Sequence, residues 1–230
     1  MPCLLHIETS TNVCSVALSE DGQVIFHQED TEGKAHSEQC GVYAREALSF
    51  ADSHAIPVDG VAVSEGPGSY TGLRIGVSLA KGVCYGRRLP LLAVPTLKLL
   101  CVPLLLRNDS IEDNAKLVPM VDARRMEVYA AVYDRGLKEY RAVQPDIVTE
   151  DTYRELLDNG PVYFFGNGAA KCKQVINHPN ARFVDDILPL AKYMMPLAEK
   201  AFAQKDFKDV AYFEPFYLKD FVAIKSKKLL

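Results

Sequence analysis

The sequence predicts an α/β fold of two lobes, each a mixed sheet flanked by helices. Three observations predict it. Gly60 to Gly86, GVAVSEGPGSYTGLRIGVSLAKGVCYG, reads as strand, tight turn and helix in succession. An internal echo links the two halves. With Ile7-Glu8 laid over Val121-Asp122, 114 positions on, Val16-Ala17-Leu18 falls on Ala130-Ala131-Val132. Both halves then read strand, acidic residue, turn, strand, which suggests a duplicated β-hairpin core. Between them lies a polar, turn-rich stretch, RNDSIEDNAK. The expected division is a first lobe over 1–106, a linker over 107–116, and a second lobe with its tail over 117–230.

Leu4–Glu8, Cys14–Ser19 and Gln23–Gln28 read as strands, and Asp21-Gly22 between the last two is a hairpin turn signal. Ser37 to about Ala51 reads as an amphipathic helix, with Ser37 as its cap and Cys40, Tyr43, Ala44, Ala47, Leu48 and Ala51 at helical spacing. Val61-Ala62-Val63 is an apolar, β-branched run that suits a buried strand. A strand at Leu91–Val94 and a helix at about Thr96–Leu106 complete the first half. The second half is expected to carry strands at Leu117–Val121, Met126–Tyr133, Glu139–Val143 and Val162–Phe165. Its expected helices are Thr152–Asp158, about Ala169–Asn177, and a long one over roughly Leu190–Lys205.

The glycine-rich stretch holds the richest functional signal. Gly66 and Gly68 flank Pro67, and Ser69 or Thr71 can cap the following helix. Gly72, Gly76 and Ala80 lie four residues apart and share one face of it. A glycine inside a helix costs roughly 1 kcal/mol relative to alanine, so close approach of a backbone or ligand is expected to offset it. Three readings stand at this point: a phosphate cradle at a helix N-terminus, a smooth face for a partner helix, and tight internal packing. No phosphate-loop lysine follows the glycines. The turn Thr9-Ser10-Thr11-Asn12 after Glu8 reads either as a hydroxyl-rich phosphate turn, its carboxylate acting through a cation, or as a plain polar hairpin.

Composition excludes several classes. A net charge of −4 argues against autonomous nucleic-acid binding, which needs a basic footprint. Lys225, Lys227 and Lys228 form one basic cluster, read as a solvated C-terminus. Neither a signal peptide nor a membrane-length apolar run is read, and the expected location is the cytoplasm. Six cysteines without a CxxC spacing read as reduced, buried thiols. The five histidines include no HxxxH pair, so no metal site is expected. His36-Ser37-Glu38 is read as a helix start rather than a catalytic pair.

Two such hairpin halves facing each other resemble the actin-like ATPase (ASKHA) fold. That resemblance makes Glu8, Thr9 and Ser10 the first phosphate loop and Asp122-Ala123-Arg124 the second, with Gly166-Asn167-Gly168 near the nucleoside. The second loop lacks a glycine and carries two arginines, so any ATP or ADP binding, at the cleft or at a partner interface, would be vestigial; its expected residues are Glu8, Thr9, Ser10, Gly66, Gly68, Asp122, Gly166 and Gly168.

The stretches IETSTNVCSVAL, HSE, SEGPGSYTGLRIGVSLAKGV, VDARRMEVYAAVY and FGNGA, with EPFYLK near the C-terminus, resemble the TsaB (YeaZ) family. The resemblance implies a non-catalytic scaffold subunit of the bacterial machinery that makes threonylcarbamoyladenosine in tRNA. Its implied partners are the catalytic paralogue TsaD and the ATPase TsaE, with tRNA met only inside the complex. In the paralogue the strand after the glycine-rich helix leads into a V-x-H-x-x-x-H metal motif. Here the two ligand positions fall on Thr96 and Leu100. The implied docking surface comprises the helices over about Ser37–Ala51 and Thr71–Gly86, through Tyr43, Leu48, Gly72, Leu73, Gly76, Ala80 and Val83. Without the partner this apolar face is expected to self-pair as a homodimer. The alternative is a free-standing actin-like ATPase or small-molecule kinase.

Overall fold

Two five-stranded sheets repeat one strand order, and the repeat defines the molecule. The computed structural model describes residues 2–33, 36–108 and 110–219, with the side chains of His36 and Ser37 outside that description. In chain order the elements are β1 (Leu4–Glu8), β2 (Cys14–Glu20), β3 (Gln23–Asp30), α1 (His36–Ser53), β4 (Gly60–Gly66), α2 (Tyr70–Arg87), β5 (Leu91–Pro95) and α3 (Thr96–Arg107). There follow β6 (Lys116–Asp122), β7 (Glu127–Tyr133), β8 (Glu139–Ile147), α4 (Arg154–Asp158), β9 (Val162–Phe165), α5 (Ala169–Cys172), β10 (Ala181–Val184) and α6 (Met195–Ala203).

The first sheet runs β3-β2-β1-β4-β5 and the second β8-β7-β6-β9-β10. Strand by strand, the second half copies the first, so this is the actin-like ATPase fold in two lobes. The echo sharpens by one residue. Glu8 pairs with Ser15, whereas Asp122 pairs with Val128, so the second hairpin turn is one residue shorter. The structural counterpart of Val16, which faces Ile7, is therefore Tyr129, which faces Val121, and not Ala130.

Each sheet is covered on both faces, so every residue of β1 and β9 is buried, and β9 reads as a continuous run, VYFF, rather than an alternating one. In the first lobe, α1 and α2 pack one face around Leu5, Ile7, Val16 and Val61. On the other face Leu4, Ala62, Leu92 and Val94 meet Leu99 of α3 and Met194 and Ala198 of the C-terminal segment. Leu97, Leu100, Cys101 and Leu104 of α3 enter the core of the second lobe. An α3 buried between two sheets has no polar face to display, hence LKLLCVPLLL. α3 contributes to the cores of both lobes, and α6, which follows the second sheet in the chain, packs on the first.

Several elements differ from expectation. The long helix over Leu190–Lys205 is a 3-10 turn at Ala191–Tyr193 followed by α6 from Met195, because Pro196 occupies the first turn and has no N–H to continue an earlier helix. The helix after Gly168 ends at Cys172 rather than Asn177, and the one expected from Thr152 starts at Arg154. Strand β8 continues past Val143 to Ile147 through Pro145, which an edge strand tolerates. Strand β10 is additional: its four residues, ARFV, are too few to show a pattern alone. The hairpin at Asp21-Gly22 has positive φ at both residues, as that dipeptide predicts. All six cysteines are buried and none is in a disulfide. The Ser37 side-chain cap and the basic cluster at Lys225, Lys227 and Lys228 lie outside the described residues. Among the described residues no helix is long and apolar enough to cross a membrane.

Candidate functional site: the interlobe cleft and the outer helix face

A cleft of about 710 Å³ opens between the two hairpin turns. Ser10, Thr11 and Asn12 line it from the β1–β2 turn, and Asp122, Ala123 and Arg124 from the β6–β7 turn. The start of α2, from Gly68 to Gly72, forms one wall, and Asn167 and residues Phe216–Lys219 contribute the rest. The turns of the two duplicated hairpins thus face one cleft.

The first turn is bound tightly to the glycine-rich stretch. Ser69 N donates to Ser10 O at 2.6 Å, and Thr9 Oγ1 donates to Gly72 O at 2.7 Å. A Cβ on Gly68 would overlap the Ser10 carbonyl oxygen. On Gly72 it would overlap the Thr9 carbonyl oxygen, and on Gly76 the Thr9 hydroxyl. Of the two cap candidates, Ser69 caps α2, its hydroxyl accepting from Gly72 N. These glycines exist so that α2 can lie against the end of β1.

That packing corrects the expected docking face. Gly72, Leu73, Gly76 and Ala80 are buried inside the first lobe, against Thr9, Val63 and the sheet. Leu73 and Ala80 have no exposed surface and Gly72 and Gly76 are held against Thr9, so internal packing accounts for this face.

Of the residues expected around a nucleotide, Ser10, Gly68 and Asp122 line the cleft. Glu8 does not. It is fully buried beneath the turn, where Ser10 N and Oγ both donate to its Oε1 at 2.5 Å. Burial pushes its carboxyl up to about 7. Thr9 is buried with it, Gly66 sits behind the α2 turn, and Gly166 and Gly168 press against β6 at Met120 and Val121.

The sequence reading missed Lys171. Its ammonium contacts the Asp122 carboxylate and donates to Glu127 O at 2.6 Å. Asp122 Oδ1 also accepts from Arg124 N at 3.0 Å, and Asn167 Oδ1 accepts from Asp122 N at 2.9 Å. The second carboxylate is thus already satisfied by its own chain. Only the fold brings Lys171 to Asp122, 49 residues away, so no local signal marks it.

The chain is 30% identical over 232 residues to the tRNA threonylcarbamoyladenosine biosynthesis protein TsaB of Escherichia coli (strain K12), with 97% of each chain covered. The chain belongs to the TsaB family. It is 27% identical to the same-named protein of Haemophilus influenzae, over 97% of this chain and 96% of that one. A solved structure of YeaZ from Pseudomonas aeruginosa superimposes with a TM-score of 0.77 at 26% identity, covering 95% of this chain and all of that one. The family model described as TsaD, tRNA N6-adenosine threonylcarbamoyltransferase, matches residues 29–227.

In this member of the TsaB family the outer faces of α1 and α2 stay open. Tyr43, Leu48 and Val83 are half-buried at the edge of the first-lobe core. Gly41 on α1 and Gly82 and Gly86 on α2 are exposed, and among the described residues none outside the local helix comes within 4 Å of where a Cβ would stand. Ser78, Gly82 and Gly86 recur every four residues and make an exposed strip of small residues on α2. A bidentate pair, Arg87 to Asp52 at 2.9 and 2.6 Å, ties the two helices together beside it.

Proposed function

We propose that the chain acts in tRNA threonylcarbamoyladenosine biosynthesis as a non-catalytic scaffold subunit. It docks on the TsaD paralogue and, together with TsaE, supports threonylcarbamoyl transfer to the adenosine beside the anticodon. The observation that carries this reading is the state of Thr96 and Leu100. They stand where the paralogue's histidine motif would place metal ligands, and both are buried, at 0% and 1% exposure. Leu100 packs in an apolar core with Leu97, Leu104 and Phe165. Leucine offers no donor, and a threonine hydroxyl is a poor substitute for imidazole.

Docking is assigned to the open face of α1 and α2: Tyr43, Leu48 and Val83 with Gly82 and Gly86. Each exposed helical glycine costs up to about 1 kcal/mol against alanine, and nothing among the described residues offsets that cost at positions 82 and 86. Close approach of a partner helix supplies the missing reason. Two helices that meet over small residues approach closely, so their backbones and flanking apolar side chains make the contact. In the absence of TsaD the same face pairs with a second copy of the chain.

The test is reconstitution. Modification of tRNA should require this chain, and Gly82→Leu should weaken its affinity for TsaD by tenfold or more in calorimetry, while the isolated variant stays folded. Unchanged affinity would remove α2 from the interface. The cleft favours a second reading, a free-standing ATPase or kinase. ATP with magnesium should neither raise the melting temperature nor be turned over by the isolated chain; binding with turnover would favour that second reading.

A further inference from the structure

After α6 the chain stays on the first lobe and then runs along the cleft. Phe216 N donates to Glu65 O at 2.7 Å at the end of β4. The Phe216 carbonyl oxygen lies 2.7 Å from where a Cβ on Gly66 would stand, and Gly66 itself has φ +113°. A side chain at 66 is therefore barred twice, by conformation and by this crossing segment. Tyr217 packs on Tyr70, ring centroids 4.8 Å apart, and its hydroxyl accepts from Arg74 Nε at 3.3 Å. Arg74 in turn lies over the Tyr70 ring at 4.1 Å. Those contacts all belong to the first lobe. Two residues on, Lys219 Nζ pairs with Glu127 Oε1 at the start of β7 in the second lobe.

We infer that residues 216–219 are a strap that holds the two lobes at a fixed separation across the cleft. Three residue steps span at most about 11 Å when fully extended, so anchors at Phe216 and Lys219 leave little slack for the lobes to part. Two-lobed folds that close around ligands need that freedom at their hinge. Here the strap lines the cleft itself, together with Ser10 of the first turn and Arg124 of the second. It converts a hinged cleft into a rigid one and holds the first-lobe helices in a constant relation to the second lobe. The inference stands on these contacts alone and does not depend on the docking partner.

The lobe-to-lobe link is an ion pair, so it can be reversed without removing either group. Hydrogen exchange in the two turns, 11–13 and 122–126, reads the lobe motion. Lys219→Glu should speed exchange in both turns by about three- to tenfold, because local opening follows the contacts that oppose it. Combining it with Glu127→Lys should return both turns to the parental rates. Tyr217→Ala, which loosens the first-lobe anchor, should act like Lys219→Glu. Urea midpoints measured alongside separate lobe opening from global unfolding. Parental exchange in both Lys219→Glu and Tyr217→Ala would overturn the strap, as would a charge-swapped pair that stays as fast as Lys219→Glu.

Discussion

Thr9 Oγ1 donates to the Gly72 carbonyl at 2.7 Å and occupies the space that a Cβ on Gly76 would need. One hydroxyl therefore both fastens the first hairpin turn to α2 and requires a glycine opposite it.

Gly76→Ala should destabilise the isolated chain by about 1–3 kcal/mol through overpacking. Thr9→Ala loses the hydrogen bond but vacates the space, so the double variant should be less destabilised than the two single losses added together. Urea unfolding of the four proteins measures the coupling. Strict additivity would show that Thr9 is not the obstacle.

Gly82→Ala should do the opposite. This position is exposed, helical and free of neighbours, so alanine should stabilise the isolated chain by about 0.5–1 kcal/mol. A thermal melt reads the sign. A loss of stability would mean that the outer strip of α2 is not open.

Glu8 should make stability fall as pH rises. Its carboxyl lies near 7 in the folded chain, above the value of about 4.3 expected when unfolded. Between those values the folded state holds the extra proton. The stabilisation is thus full below about pH 4 and is lost as pH climbs through 7, on the order of 3 kcal/mol in all. Glu8→Gln should flatten that part of the profile and be the more stable protein at pH 8. Denaturant titrations of both proteins from pH 4 to 8 decide it.

Asp146 holds the β8–α4 corner of the second lobe. It accepts from Arg141 Nη2 at 2.5 Å, Gln144 Nε2 at 2.8 Å and the Tyr153 hydroxyl at 2.6 Å, and is 5% exposed. Asp146→Ala strands Arg141 and should cost about 3–5 kcal/mol. Tyr153→Phe removes one of the three donors and should cost about 1 kcal/mol. Equal losses in urea unfolding would contradict this ranking.

Local pattern was enough for most of the strands. β1 and β9 begin and end as expected, at Leu4–Glu8 and Val162–Phe165, and both are interior strands whose every residue is covered. Asp21-Gly22 set its hairpin through backbone preference alone. The equivalence of Glu8 and Asp122 was legible as a repeat, since each ends the first strand of its hairpin. Ala181–Val184 was not legible, because a four-residue edge strand is held by its neighbour β9 and not by its own composition.

The sequence by itself determined the two-lobed α/β fold, the hairpin duplication, the family, and the fact that α2 has to lie close to something. It did not decide what that something is. Gly72 and Gly76 look like Gly82 and Gly86 in the chain, spaced four apart on one helix. A helix turns 100° per residue, so two such strips can face in different directions. Tertiary packing turned Gly72 and Gly76 onto Thr9 and left Gly82 and Gly86 bare. The same holds for the charges: Lys171 on Asp122 and Lys219 on Glu127 are long-range encounters that exist only once both sheets have formed.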